Sequence, residues 1–289
     1  MELELDRVTK HFGNKIACDR ILISFHPGVY GLLGANGAGK TTLMRMMCGV
    51  LAPTSGTIRF DGTDVSHEDY RDALGYLPQD FGYYPEFSAQ DFMLYIATLK
   101  GLPKSRAKAK TQELLELVSL EKEAKKKIKT FSGGMKQRLG IAQSMLNDPK
   151  ILILDEPTAG LDPKERVRFR NLISRLGADR IVLLSTHIVS DVEHIADTIL
   201  VMKSGQLIHQ GTLEEIIRVI KGKVWECTLP QSEADILCER YPVINLRQEQ
   251  NDLFLRLVSE EKPCASAVSA QATLEDLYLY YFSEVSGNE

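Results

Sequence analysis

One lysine, one threonine and three glycines at fixed spacing offer the first chemistry of this chain. Gly34-Ala35-Asn36-Gly37-Ala38-Gly39-Lys40-Thr41 fits the pattern G-x-x-x-x-G-K-[ST]. Glycines let consecutive backbone N–H groups turn inward and form an anion nest. A helix N-terminus behind the loop adds a partial positive charge. Lys40 is expected to reach the β- and γ-phosphates of a nucleoside triphosphate, and the Thr41 hydroxyl to ligate Mg²⁺. Gly34, Asn36, Gly37, Gly39 and Thr42 complete the expected phosphate cradle. Such a loop must be delivered by a strand and received by a helix. Residues 29–33 form a short apolar run that reads as the strand. Residues 42–48 run without Pro or Gly, read as the helix, and stop at Gly49.

Other reactive side chains stand at the ends of predicted elements. Residues 151–154 are four aliphatics without alternation, which suits a parallel strand buried on both faces. Asp155 and Glu156 end that strand, where open α/β sheets bind their ligands. Asp155 is expected to hold Mg²⁺ through water and Glu156 to polarise an attacking water. Ser132-Gly133-Gly134 opens another helix. Each glycine there costs roughly 1 kcal/mol of helix propensity relative to Ala, yet permits close approach of a phosphate. His187 follows the aliphatic strand 181–184 and reads either as a packed or surface group or as a γ-phosphate contact. Gln79, on a loop after the apolar run 74–77, reads as surface or as an amide oxygen for a metal or water. Phe12 reads as packing on a small sheet or as a ring that stacks on a base. Asp162 is a natural N-cap, with Pro163 at the first helical position and Glu165 completing the box; capping does not exclude a second role.

Composition narrows the class. A chain of 289 residues accommodates one large domain or a medium and a small one. The net charge of −4 gives no footing for nucleic-acid binding by bulk charge. No apolar run approaches the roughly 18 residues of a membrane span, and Met1-Glu2-Leu3-Glu4 lacks the basic and apolar regions of a signal peptide. The five scattered cysteines fit a reducing compartment and argue against a disulfide frame or a zinc site, so a cytosolic location is expected.

Between the motifs, residues 87–150 read as helical. Ser88 with Asp91 makes a capping-box pattern, and Gly101-Leu102-Pro103 breaks the helix it starts. A second helix is expected over 105–120 with Leu114, Leu115, Leu117 and Val118 inward. The lysines 122, 125, 126, 127 and 129 read as a solvated face. Residues 199–208 read as a hairpin. After about 221 the texture changes to a small α+β unit.

Taken in order, the aromatic, the phosphate loop, Gln79, Ser-Gly-Gly, Asp155-Glu156, Asp162 and His187 resemble the ATPase subunit of ABC transporters, over residues 1 to about 217. The resemblance implies an α/β fold: a P-loop NTPase core with an antiparallel β subdomain and an inserted helical subdomain. A small C-terminal α+β domain follows. The implied division is an ATPase domain at 1–220, with its helical subdomain at about 86–150, and an accessory or regulatory domain at 221–289. It also implies two subunits, as a homodimer, clamping two ATP molecules with Mg²⁺. Phe12 becomes the adenine-stacking residue, Gln79 a catalytic and metal-binding glutamine, and His187 the switch histidine. Ser132, Gly133, Gly134 and Asp162 become contacts to the opposite ATP. Phe131 and Met135 replace the ends of the usual Leu-Ser-Gly-Gly-Gln, and Phe12 stands where tyrosine is commoner. Gly-Gly-Met-Lys-Gln-Arg and Thr-Leu-Glu-Asp-Leu look like the ABC-2 exporter branch. That branch implies a separate membrane permease that binds the cargo (a drug, peptide, lipid or polysaccharide) and a peripheral place on the cytoplasmic membrane face. Chromosome-remodelling relatives carry a long coiled coil and ribosome-acting ones two ATPase halves, features this sequence lacks. A soluble ATPase acting as an assembly scaffold or regulator is the alternative.

Overall fold

The computed structural model describes residues 1–282. It divides into two compact units, the first ending at Ile208 and the second beginning at His209. The sequence reading put a boundary at 220/221, after α8 (Leu213–Arg218); the observed division comes before that helix.

In the first unit, β1 (Leu3–Phe12) and β2 (Lys15–Phe25) form a long hairpin, and β3 (Gly28–Leu33) leads into the phosphate loop and α1 (Lys40–Met47). Next come β4 (Ser55–Phe60), β5 (Thr63–Asp64), α2 (Glu68–Ala73) and β6 (Leu74–Leu77). The helical insertion holds α3 (Ala89–Leu99), α4 (Lys104–Leu117) and α5 (Gly133–Ser144). It is followed by β7 (Ile151–Asp155), α6 (Pro163–Leu176), β8 (Ile181–Thr186), α7 (Val189–Ile195) and β9 (Thr198–Lys203), and β10 (Gln206–Gly211) runs across the division at Ile208/His209.

Two sheets result. An antiparallel one runs β2-β1-β4-β5, and a six-stranded one runs β10-β9-β3-β8-β7-β6. In the latter β6, β7, β8, β3 and β9 are all parallel. Their carboxyl ends therefore share one edge, and the ends of β3, β6, β7 and β8 lead to Gly34, Gln79, Glu156 and His187.

The sheet is anchored from both faces. Every residue of β7 and β8 is buried. Successive side chains point to opposite faces. Leu152, Leu154, Val182 and Leu184 join the core shared with α3 to α6, while Ile151, Ile153, Ile181 and Leu183 join the core around α1, β1 and β4. Each fully buried Leu or Ile contributes about 1.5–3 kcal/mol of transfer free energy, so the strand ends that carry Asp155 and His187 are held firmly.

Three readings of local structure are corrected. Leu117, expected inward, is 40% exposed. The buried stripe of α4 is Ala107, Thr111, Leu114 and Leu115, with Val118 as its cap, a spacing of about 3.6 that leaves Leu117 off the face. That helix also ends at Leu117 rather than 120. Glu165 does not complete a capping box: Asp162 Oδ1 accepts the Glu165 N–H at 2.9 Å, but the Glu165 carboxylate turns to arginines instead.

The second unit includes α8 and, after it, β11 (Val224–Leu229), α9 (Gln231–Arg240), β12 (Val243–Glu249), β13 (Asp252–Val258), β14 (Val268–Ser269) and α10 (Leu274–Phe282). Its antiparallel sheet runs β12-β13-β11-β14. Cys227, Leu229, Ala234, Leu237, Leu255, Leu257 and Ala267 make a small core.

Candidate nucleotide site

The phosphate loop is shaped by close backbone approach. A Cβ on Gly39 would sit 2.3 Å from the Ala17 carbonyl oxygen, and its φ of +109° is one that side-chain-bearing residues avoid. A Cβ on Gly34 would sit 2.4 Å from the Met202 carbonyl oxygen. Gly39 is the N-cap of α1 and offers it no side-chain cap, so the first N–H groups of that helix stay available for an anion.

Lys40 is 6% exposed. Its Nζ donates to the Gly34 carbonyl at 2.7 Å and to the Ala35 carbonyl at 3.2 Å, and lies 3.7 Å from Glu156 Oε1. Burial pushes its pKa below the ordinary lysine value, and the carboxylates of Glu156 and Asp155 partly offset this.

Glu156 is 7% exposed and has a φ of +50°. A side-chain-bearing residue in that region is costly and persists only where surroundings enforce it. Here they do. The Glu156 N–H donates to Ser185 Oγ at 3.0 Å, and Ser185 Oγ donates to Asp155 Oδ1 at 2.6 Å. Glu156 Oε2 lies 2.9 Å from His187 Nδ1. An ionised carboxylate only accepts, so that nitrogen carries the proton. Glu156 thus sits between a buried ammonium and a half-exposed imidazole, with its backbone fixed from β8.

A cavity of about 430 Å³ opens over these groups, lined by Phe12, Lys15, Asn36, Thr41, Gln79 and Glu156 among others. Gly37, Gly39, Lys40 and Thr42 also line it. Phe12 stands at its margin, 51% exposed, with Lys10 Nζ 5.4 Å from the ring centroid. A ring left half in water at a cavity mouth is free to stack on a planar partner. Gly34 lies beneath the cradle and Asp155 behind Glu156; neither lines the cavity.

Ser132, Gly133, Gly134 and Asp162 are not brought there. Ser132 caps α5 through the Met135 N–H at 3.3 Å, and Asp162 caps α6. A wider groove of about 580 Å³, bordered by Gln90, Thr111, Lys122 and others, lies on α3 and α4 and gathers no phosphate-binding backbone. His194 is bound to the Ser190 carbonyl at 2.7 Å and takes no part.

Three residues escape the sequence reading. Ser185 ties both carboxylate residues to β8; its signal was a hydroxyl closing an otherwise aliphatic buried strand. Lys15 and Ala17 line the cavity because β2 runs beside the loop, and nothing in the sequence marks them.

The donor set bears on Mg²⁺. Asp155 Oδ2 is buried with no hydrogen-bond partner. Thr41 and Gln79 present hard oxygens on the cavity wall, the atom type this ion selects. Among the described residues no three His, Cys, Asp or Glu side chains form a metal-sized cluster.

Residues 19–159 match the family model described as ABC transporter. The chain is 43% identical over 197 residues to an uncharacterized ABC transporter ATP-binding protein, YxlF, of Bacillus subtilis (strain 168), covering 67% of this chain and 66% of that one. It is 34% identical to the bacitracin transport ATP-binding protein BcrA of Bacillus licheniformis, over 87% of this chain and 83% of that one. With the Nod factor export ATP-binding protein I of Paraburkholderia xenovorans (strain LB400) it shares 36% identity, over 74% of this chain and 72% of that one. Among solved structures, an ATP-binding subunit of an ABC transporter superposes with a TM-score of 0.68 at 26% identity, covering 76% of this chain and 93% of that one.

Proposed function

This chain belongs to the ABC transporter family as an ATP-binding subunit with ATPase activity, and from that premise we propose a motor that hydrolyses ATP as a head-to-tail dimer to drive export through a separate membrane permease. The triphosphate lies along the 34–39 loop. Lys40 exchanges its two loop carbonyls for phosphate oxygens, a short move for a flexible ammonium. Phe12 stacks on the adenine. Ser132, Gly133, Gly134 and Asp162, which do not line this subunit's own cavity, meet the ATP held by the second subunit. Thr41, Gln79 and, through water, Asp155 would hold Mg²⁺, which when bound would neutralise the charge that develops on the phosphates.

The single observation that carries the reading is the setting of Glu156. Its left-handed backbone is held by Ser185 and its carboxylate by Lys40 and His187, on the wall of the cavity. In that place it takes a proton from the attacking water, with His187 keeping its orientation. Glu156→Gln preserves shape and removes the base. It should bind ATP, accumulate as a dimer on size exclusion, and turn over about 10²- to 10⁴-fold more slowly. Near-normal hydrolysis in that variant would refute the general-base role.

No helix among the described residues is long and apolar enough to cross a membrane, and this reading assigns the passage across the membrane to a separate permease. The two relatives named for bacitracin transport and Nod factor export support the exporter assignment, and a peripheral place on the cytoplasmic membrane face goes with that reading. Affinity capture of the Glu156→Gln protein with ATP from detergent-solubilised native membranes tests it. A multi-span integral membrane protein in stoichiometric amount is the expected companion; a soluble partner or none would overturn the export reading.

A further inference from the structure

The two glycines of Ser132-Gly133-Gly134 are glycine for different reasons. A Cβ on Gly133 would meet nothing within 4 Å, so its bare face is open to an approaching ligand. A Cβ on Gly134 would lie 3.1 Å from Glu165 Cγ and 3.4 Å from Glu165 Oε2. Gly134 is thus a seat for Glu165, the residue whose N–H is capped by Asp162.

From that seat the Glu165 carboxylate reaches two arginines. Oε1 accepts from Arg168 at 2.7 Å on its own helix, and Oε2 lies 3.3 Å from Arg138 Nε on α5. The Arg138 and Glu165 side chains are 14% and 16% exposed. Neither Arg138 Nε nor Glu165 Oε2 has an aligned hydrogen-bond partner, so each depends on the other's charge. One side chain therefore joins the helix capped by Ser132 to the helix capped by Asp162.

We infer that Glu165 and Arg138 are positioning residues, which lock the Ser132–Gly133–Gly134 segment and the Asp162 loop into one rigid arm that presents both to the second subunit's ATP. The inference rests on the two-subunit reading above. Neither residue lines this subunit's own nucleotide cavity, so the lock affects dimer closure and not the first binding of ATP. The physical reason is geometric. A site assembled from two subunits needs its contacts placed together, and a displacement near 1 Å costs on the order of a hundredfold in rate. Two segments held independently would each have to be ordered at closure.

The test uses the Glu156→Gln protein, whose ATP-bound dimer is measured by sedimentation, with trinitrophenyl-ATP fluorescence reporting binding to the monomer. Glu165→Gln keeps the side-chain volume over Gly134 and removes its charge. In the Glu156→Gln background it should weaken the dimer about tenfold or more, with nucleotide affinity of the monomer within about twofold. In the otherwise unchanged protein it should lower kcat while leaving the KM for ATP nearly unaltered. Arg138→Met should act alike, and the double variant should be no worse than either single one, the mark of a shared interaction. Arg138→Lys, which keeps the charge, should recover part of the loss. Dimer strength within about twofold of the parent in Glu165→Gln overturns the inference. So does loss of nucleotide binding by the monomer, which would mean that the pair only supports the fold. If Glu156→Gln itself forms no dimer with ATP, the two-subunit reading falls and takes this inference with it.

Discussion

Two buried carboxylates in this molecule are built in opposite ways. Asp276, in the second unit, is fully buried and fully bonded. It accepts from Arg256 Nε at 2.8 Å and Nη2 at 2.7 Å, and from the Thr273 N–H and hydroxyl at 2.7 and 2.8 Å. Arg256 goes on to Glu226 and to the Gln271 carbonyl. In the first unit, Asp155 leaves one oxygen without a partner and Glu156 sits on a left-handed backbone. The Asp276 cluster joins α10 to β13 and β11 and has no capacity left for a ligand. The pair at the end of β7 keeps its capacity in reserve. A satisfied buried ion cluster specifies structure, whereas an unsatisfied one in a firmly held sheet marks a place where a ligand completes the bonding.

If that contrast holds, substitutions on the two sides should move different readouts. The chain has one tryptophan, and it is Trp225 of β11, so its fluorescence follows the second unit alone. The largest separation should come from Lys40→Met. It should weaken ATP binding by a hundredfold or more, since charge-assisted phosphate contacts are the strong ones (about 1.5–3 kcal/mol each), and leave the Trp225 unfolding transition in place. Next in size is Arg256→Met, which strands Asp276 and should destabilise the Trp225 transition by about 3–5 kcal/mol while ATP affinity stays at the parent value. Coupled loss of both signals in either variant would erase the contrast.

Ser185→Ala tests the first site more finely. Removing the hydroxyl frees the Glu156 N–H and one Asp155 oxygen, and should lower kcat about tenfold, as a lost buried hydrogen bond of about 1–3 kcal/mol implies. Phe12→Ala should raise the KM for ATP about fivefold to a hundredfold, the range of about 1–3 kcal/mol for one stacked base, and Phe12→Tyr should leave it unchanged.

The smallest effect is a dependence on pH. Burial by itself would raise the Asp276 pKa, but the hydrogen bonds from Arg256 and Thr273 outweigh it and hold the carboxyl below its ordinary value. A carboxylate with a depressed folded-state pKa stabilises the folded form in full above the unfolded value of about 3.9. That contribution is lost as pH falls through the folded-state pKa. The Trp225 midpoint should therefore be flat from neutrality down to about pH 5 and decline below about pH 4, and Asp276→Asn should remove the decline.

Much of the first unit was legible in the sequence because its signals are local. The phosphate loop is one contiguous turn between a strand and a helix. The runs at 151–154 and 181–184 have no polar interruption, which only a doubly covered strand tolerates. Leu117 was misread because the register of α4 is set by its seat on α3 and α5, and several apolar residues near its end offered competing stripes. Glu165 was misread because a capping box and a reach across to Arg138 start from the same local sequence. The second choice depends on Gly134 lying beside it in space.

The strand–loop–helix order, the anion nest, the aliphatic strands and the residue types at their ends follow from backbone propensity, periodicity and spacing along one segment. It takes the packing of distant segments to give Glu156 its left-handed backbone beside Ser185, to set Lys15 and Ala17 at the border of the cavity, and to let Glu165 bridge two capped helices. Each of these joins segments distant along the chain, and distances of 3 Å between such segments are fixed by how sheets and helices pack, not by any residue's own preference.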